Sequence, residues 1–296
     1  MIGGMDDELA GPDEKWTFDL REVRIIPAPD GDLHELRRAL GPVSVPLAAL
    51  TGISFEPGRR SCRLRLQLRA GADPLTQVSS DWLTGRADPY QLTVEAERSA
   101  AAEYFAGRVR DALLVEQVPE GPAEQYLMPG PRVPVTAAAG DGTVVFDGER
   151  LRFEWNWLAD DRKRAMGPQQ LRLADVAAVE WQPVVGLDHG FLRFRPRGMS
   201  TPPPIEHDPY SLHWGIKREG GTAVLVAAAV AARLPHPSET TAEPLALPAA
   251  APAPAGEVHE ADALLHRLRE LGALHRDGIL TDDEFAAAKQ LLLKPR

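Results

Sequence analysis

Eight histidines, at positions 34, 189, 207, 213, 236, 259, 266 and 275, are the first place to look for acid–base or metal chemistry. The tightest grouping is His207-Asp208 with His213. It follows Pro202-Pro203-Pro204, a loop sequence that fixes no ligand geometry, so solvated loop residues are expected there rather than a metal site. A Ser-His-Asp triad assembles in space and cannot be read from sequence order. The chain nevertheless carries no Gly-x-Ser-x-Gly elbow, no Walker loop and no dinucleotide fingerprint. Cys62 shares an apolar strand face with Leu64, Leu66 and Leu68, where a small buried hydrophobe is expected rather than a nucleophile. These positions point away from an enzyme, and no cofactor is expected.

The cationic side chains suit a different chemistry. A strand that turns Leu64, Leu66 and Leu68 inward turns Arg63, Arg65, Gln67 and Arg69 outward. A later strand turns out Arg193, Arg195 and Arg197 in the same way. Trp155-Asn156-Trp157-Leu158 runs into Arg162-Lys163-Arg164 beside a strand-connecting loop. Guanidinium groups match phosphate and carboxylate oxygens, and aromatics beside basic residues suit a membrane surface. Arg63, Arg65, Arg162, Lys163, Arg164, Arg193 and Arg195 are therefore the candidate anion-binding set. The competing reading is a solvated face with ion pairs to Asp160 and Asp161, Trp155 and Trp157 lying at core positions by alternation.

Composition limits both readings. The chain has 296 residues, 44% hydrophobic and 26% charged, as in an ordinary soluble protein. At ~150 residues per domain that length accommodates about two domains. The formal charge of −10 opposes bulk nucleic-acid binding and also docking on an anionic bilayer, unless a local patch overcomes it. One cysteine excludes an internal disulfide framework and a Cys-rich zinc module. The acidic N-terminus lacks the pattern of a secretory signal, and Ala223 to Leu234 is too short for a bilayer that needs ~20 residues. A cytoplasmic protein is expected.

An internal repeat organises these residues. Phe18-Asp19 before Val23 matches Phe146-Asp147 before Leu151, and Leu47-Ala48 before Ile53 matches Leu173-Ala174 before Val179. Leu64-Arg65-Leu66 matches Leu192-Arg193-Phe194, and Asp88-Pro89-Tyr90 matches Asp208-Pro209-Tyr210. The order is shared, and the offset drifts only between 128 and 120. Each copy reads as strands followed by one helix. Leu151, Phe153, Trp155 and Trp157 alternate with polar residues, and Tyr104, Phe105, Val109, Ala112 and Leu113 sit at helical spacing. The second closing helix is apolar throughout Ala223 to Leu234, which implies packing on most sides.

The C-terminal segment carries the clearest local signal. Ala261, Leu264, Leu268, Leu271 and His275 step by three and four, and Gly278 supplies the stop. Thr281-Asp282-Asp283-Glu284 is a capping box, with Leu280 and Phe285 as its hydrophobic staple. The stripe continues to Leu292. A hairpin of ~40 residues buries too little surface to stand alone. Leu264, Leu268, Leu271, Phe285 and Leu292 are therefore the candidate interface to a second copy, to another protein, or to the upstream domains.

Leu268-Arg269-Glu270-Leu271, Asp277 to Phe285, Lys289 and Leu292 resemble the SHOCT module, a two-helix bacterial tail whose resemblance implies oligomerisation. The paired Phe-Asp openings and the Asp-Pro-Tyr elements resemble the bacterial family called domain of unknown function 4429. That resemblance implies two copies of a fold similar to pleckstrin-homology domains and transfers no catalytic residues. The expected fold class is α+β: two tandem pleckstrin-homology-like curved antiparallel sheets, each closed by a helix, then a short two-helix hairpin. The expected divisions are a first repeat at 14–115, a connector at 116–139, a second repeat at 140–235, a Pro/Ala-rich linker at 236–257 and the hairpin at 258–296. The preferred function is a non-enzymatic scaffold that self-associates or binds a protein through its tail. The alternative is a peripheral binder of anionic lipid or another small anion.

Overall fold

The computed structural model describes residues 7–29, 31–185, 188–215 and 221–241. The expected hairpin, with Leu264, Leu268, Leu271, Phe285 and Leu292, lies outside the described residues. So does the linker beyond 241.

The first repeat opens with β1 (Asp7–Ala10), β2 (Glu14–Phe18) and β3 (Glu22–Pro27). The short helix α1 (Glu35–Leu40) then leads to β4 (Val43–Pro46), and the four strands form one antiparallel meander. A second meander holds β5 (Leu50–Glu56), β6 (Ser61–Leu68) and β7 (Gln91–Glu95), with α2 (Pro74–Ser79) inserted between β6 and β7. The helix α3 (Ser99–Glu116) ends the repeat. The second repeat follows the same plan. Its four-stranded sheet holds β8 (Val135–Ala139), β9 (Gly142–Phe146), β10 (Arg150–Trp155) and β11 (Gln169–Arg172), with α4 (Asp161–Met166) before β11. Its three-stranded sheet holds β12 (Val176–Gln182), β13 (Gly190–Pro196) and β14 (Ser211–Trp214), followed by α5 (Ala223–Ala231) and α6 (Pro237–Thr241).

The fold is α+β with four antiparallel sheets, none of which closes on itself. A single curved sheet per repeat was expected; each repeat instead has two. The division comes where the repeated Leu-Ala pairs lie. A 3₁₀ turn, Leu47–Ala49 or Leu173–Asp175, breaks the extended chain and carries it from one sheet to the other. An arginine holds each turn by its carbonyl: Arg69 donates to Ala48 O and Arg197 to Ala174 O, both at 3.0 Å. β1 precedes the expected boundary at 14 and β8 the one at 140, so each four-stranded sheet draws its first strand from upstream of the recognised repeat.

Local sequence explains the hairpins. Asp19 Oδ1 accepts from the backbone N–H of Arg21 and Glu22, and Asp147 Oδ1 from Glu149 and Arg150, all between 2.8 and 3.0 Å. These Asx turns join β2 to β3 and β9 to β10. The residue after the aspartate has positive φ in both, 72° at Leu20 and 108° at Gly148. Glycine takes that conformation freely, whereas leucine takes it against the repulsion of its Cβ.

Strand alternation holds in β6, where Cys62, Leu64 and Leu66 are buried, and in β10, where Leu151 and Phe153 are buried. It fails at Trp157, which leaves 79% of its surface exposed. β10 stops at Trp155 because Asn156 turns the chain: its amide donates to Gly140 O at 2.9 Å and its carbonyl accepts from Leu158 N at 2.7 Å.

Each repeat has a core between its two sheets and its closing helix. Trp16 and Phe18 meet Phe105 of α3 with ring centroids 6.4 and 6.2 Å apart, and Phe153 meets Phe194 edge-on at 5.8 Å. α5 is buried along its whole length. Val226, Ala227, Ala229 and Val230 enter the second core, whereas Val224, Leu225 and Ala228 pack with Leu36 and Leu75 of the first repeat. α2 supplies Leu75. This six-residue helix lies in the connection between β6 and β7, which is eight residues longer than that between β13 and β14, the cause of the drift in offset. Asp73 caps it through Leu75 N and Thr76 N, and Pro74 sits where its missing N–H costs nothing. No described helix is long and apolar enough to cross a membrane.

Leu75→Ala opens a cavity in this junction and should cost about 2–5 kcal/mol in urea unfolding. Leu20→Gly relieves the turn at a half-exposed site and should add up to about 1 kcal/mol, seen as a higher Tm.

Candidate functional site

Two candidate cations of the second repeat, Lys163 and Arg193, meet partners at the start of β14. Lys163, on α4, is fully buried, as is its partner Asp141. Its ammonium donates to Asp141 Oδ2 at 2.7 Å and to Ser211 O at 2.9 Å, and lies 4.8 Å from the centre of the Trp155 ring. Asp141 also accepts from the His213 backbone at 2.9 Å and lies 2.8 Å from His213 Nδ1. His189 stacks on His213 with centroids 6.3 Å apart. Burial pushes the Asp141 carboxyl up, but the His213 hydrogen bond and the Lys163 charge outweigh it and hold the group below its ordinary value. Asp141 therefore adds stability at neutral pH, and that contribution is lost as pH falls through its folded-state pKa.

Beside this cluster, Arg193 pairs with Asp208 at 2.9 Å and donates to Pro203 O at 2.7 Å. Asp208 Oδ1 accepts from Tyr210 N at 2.9 Å. The first repeat builds the same unit: Arg65 pairs with Asp88 at 2.9 Å, and Asp88 Oδ1 accepts from Tyr90 N at 2.9 Å. The repeated Asp-Pro-Tyr element is thus a turn clamped by an arginine from the neighbouring strand. Burial raises both Asp88 and Asp208 against the lowering effect of Tyr N–H and arginine. Their sign is opposite to that of Asp141: the stabilising contribution is present at low pH and fades as pH rises through the raised value.

The anion-binding set does not form one surface. Lys163 and Arg193 were expected to face solvent, and both are enclosed, because each finds a buried carboxylate from a distant segment. Arg63 pairs with Glu56 at 3.3 Å and Arg195 with Glu180 at 3.0 Å on exposed sheet faces. Arg162 is exposed on α4, and Arg164 pairs with Asp161. Arg65 is half exposed beside its Asp88 partner. His207 pairs with Asp160 at 3.2 Å rather than joining His213. Among the described residues, no three His, Cys, Asp or Glu side chains gather to hold a metal ion.

The helix that carries the buried cation is also repeated, a match that the Phe-Asp, Leu-Ala and Asp-Pro-Tyr motifs do not include. His34-Glu35-Leu36-Arg37-Arg38-Ala39-Leu40-Gly41 aligns with Asp160-Asp161-Arg162-Lys163-Arg164-Ala165-Met166-Gly167 at an offset of 126, that of the Leu-Ala pairs. The two segments form α1 and α4, capped by His34 and Asp160 and ended by glycines at φ 71° and 69°. Arg37 takes the place of Lys163 and pairs with buried Glu14.

Residues 16–110 and 144–231 both match the model of a domain of unknown function, DUF4429. The chain belongs to that family. The two DUF4429 matches begin within β2 and β9 and run through the later strands, the first ending inside α3 and the second at the end of α5. Residues 266–293 match the Short C-terminal domain, SHOCT. No curated protein matches this DUF4429 chain.

Lys163→Met leaves Asp141 charged and buried, and should cost about 3–5 kcal/mol in urea unfolding at pH 7. Adding Asp141→Asn to that variant should recover part of the loss. Arg162→Gln should stay within about 0.5 kcal/mol of wild type. The Asp141→Asn penalty alone should shrink as the pH is lowered toward the carboxyl range, when measured on a pH series.

Proposed function

We propose that this protein is a non-enzymatic cytoplasmic scaffold, a rigid body of two repeats carrying a C-terminal hairpin that self-associates or binds a protein partner. The carrying observation is where the reactive side chains lie. Asp141, Lys163, Arg193 and Asp208 are buried and bonded to one another, and the Arg–Asp–Tyr unit is duplicated in the first repeat, as a structural element would be. We read each repeat as pleckstrin-homology-like, from its four-stranded meander, three-stranded meander and closing helix. Trp157 and Leu158 before α4 and Met166 at its end expose large apolar surface, which favours a binding role. The stripe Leu264, Leu268, Leu271, Phe285 and Leu292 gives the tail an apolar face, each such side chain being worth ~1.5–3 kcal/mol when buried.

A second reading, an anionic lipid or another small anion held on the arginine faces, is favoured most at Arg65, which lies half exposed beside a cavity.

Sedimentation of wild type, Leu268→Asp and a chain ending at Gly256 tests the scaffold reading. Wild type should run as an oligomer and both variants as a smaller species with the repeats still folded. Three identical species would mean that the tail is not the oligomerisation device.

A further inference from the structure

The two Arg–Asp–Tyr units differ in what lies beyond them. In the second repeat Arg193 is closed over: Pro203 O takes one of its terminal N–H groups, and its side chain is 11% exposed. In the first repeat the equivalent Arg65 is 52% exposed, and its Nε is held by Asp88. The longer connection that forms α2 leaves a cavity of about 380 Å3 there. Its lining includes Arg65, Gln67, Arg69, Gln77, Ser79 and Ser80. Arg69 directs three of its five N–H groups to the Gly121, Ala48 and Pro122 carbonyls, and contributes its charge to the cavity. Ser79 is fully buried and its hydroxyl has no hydrogen-bond partner, a condition that folded proteins seldom leave uncorrected.

We infer that this cavity binds a small phosphoryl oxyanion, whose oxygens accept from the Arg65 terminal N–H groups as Pro203 O accepts from Arg193, with Ser79 Oγ donating to it. The two guanidinium groups exceed the single Asp88 carboxylate in the lining, so the cavity attracts an anion in a chain that is acidic overall. Arginine suits phosphate because its planar fork meets two oxygens at once. The volume accommodates a phosphate monoester of a few carbons, in the lower part of the range for ligand pockets. In the second repeat, which lacks α2, Pro203 O already accepts from the terminal N–H of Arg193 that such an anion would meet. The site deepens the anion reading and rests on it only in requiring Arg65 to meet an anion.

The test uses the full chain at constant ionic strength. Calorimetric titration with inorganic phosphate and with glycerol 3-phosphate probes a soluble ligand, and co-sedimentation with phosphatidylcholine vesicles containing phosphatidic acid probes a headgroup. Gln77→Glu places a negative charge on an exposed rim residue and should not disturb folding; Ser79→Ala removes one donor. Saturable binding of at least one probe is expected, weakened about tenfold or more by Gln77→Glu, equivalent to about 1.4 kcal/mol, and several-fold by Ser79→Ala. The probe that binds identifies the source. Binding indifferent to both variants would overturn the cavity and leave the anion on another arginine face. Binding of neither probe would overturn both.

Discussion

A helix that is apolar on every side has to be enclosed on every side, and much of this structure follows from that. α5 has no face to give to water, and a three-stranded or four-stranded sheet covers only one side of a helix. Its second side is covered by Leu36 and Leu75 of the other repeat. The two repeats are therefore joined through the hydrophobic core and not merely by the connector. α3, the equivalent helix, has only Ala102, Phe105, Ala106 and Val109 buried and leaves Tyr104, Leu114 and Val115 exposed. The two similar units are thus made unequal by α2, whose Leu75 packs against the closing helix of the other repeat.

The same asymmetry governs the charged groups. Both repeats enclose a cation on a short helix, Arg37 or Lys163, against an acid at the entrance to the second strand. Such pairs add little net stability over apolar residues of the same size, but removing one partner is costly. Their physical effect here is to tie α1 and α4, each only six residues long, to their sheets. Where the longer connection replaces the Pro202-Pro203-Pro204 loop, Arg65 loses the carbonyl that seals Arg193, and the surface opens.

Much of this architecture was legible because it is written in short-range patterns. The alternation of Cys62, Leu64 and Leu66 and the unbroken apolar run of α5 depend on residues within one turn or one strand. The duplicated motifs could be aligned by spacing alone, although the α1 and α4 segments share so few identical residues that their match is easily overlooked. Trp157 was misplaced because alternation predicts a face only while the strand continues, and an asparagine hydrogen bond ended it.

The sequence by itself determined the fold class, the duplication, the inward face of β6 and the need of α5 for a second partner, since each follows from local periodicity and from what water excludes. Only the tertiary structure decided which arginines and lysines remain available. Lys163 reads as one of three successive surface cations, yet its charge is met by Asp141 and Ser211, 22 and 48 residues away. Arg65 and Arg193 occupy the same place in the repeat and differ because of a loop carbonyl ten residues beyond Arg193. Partners that distant are set by the packing of whole elements, and no spacing within a strand or helix encodes them.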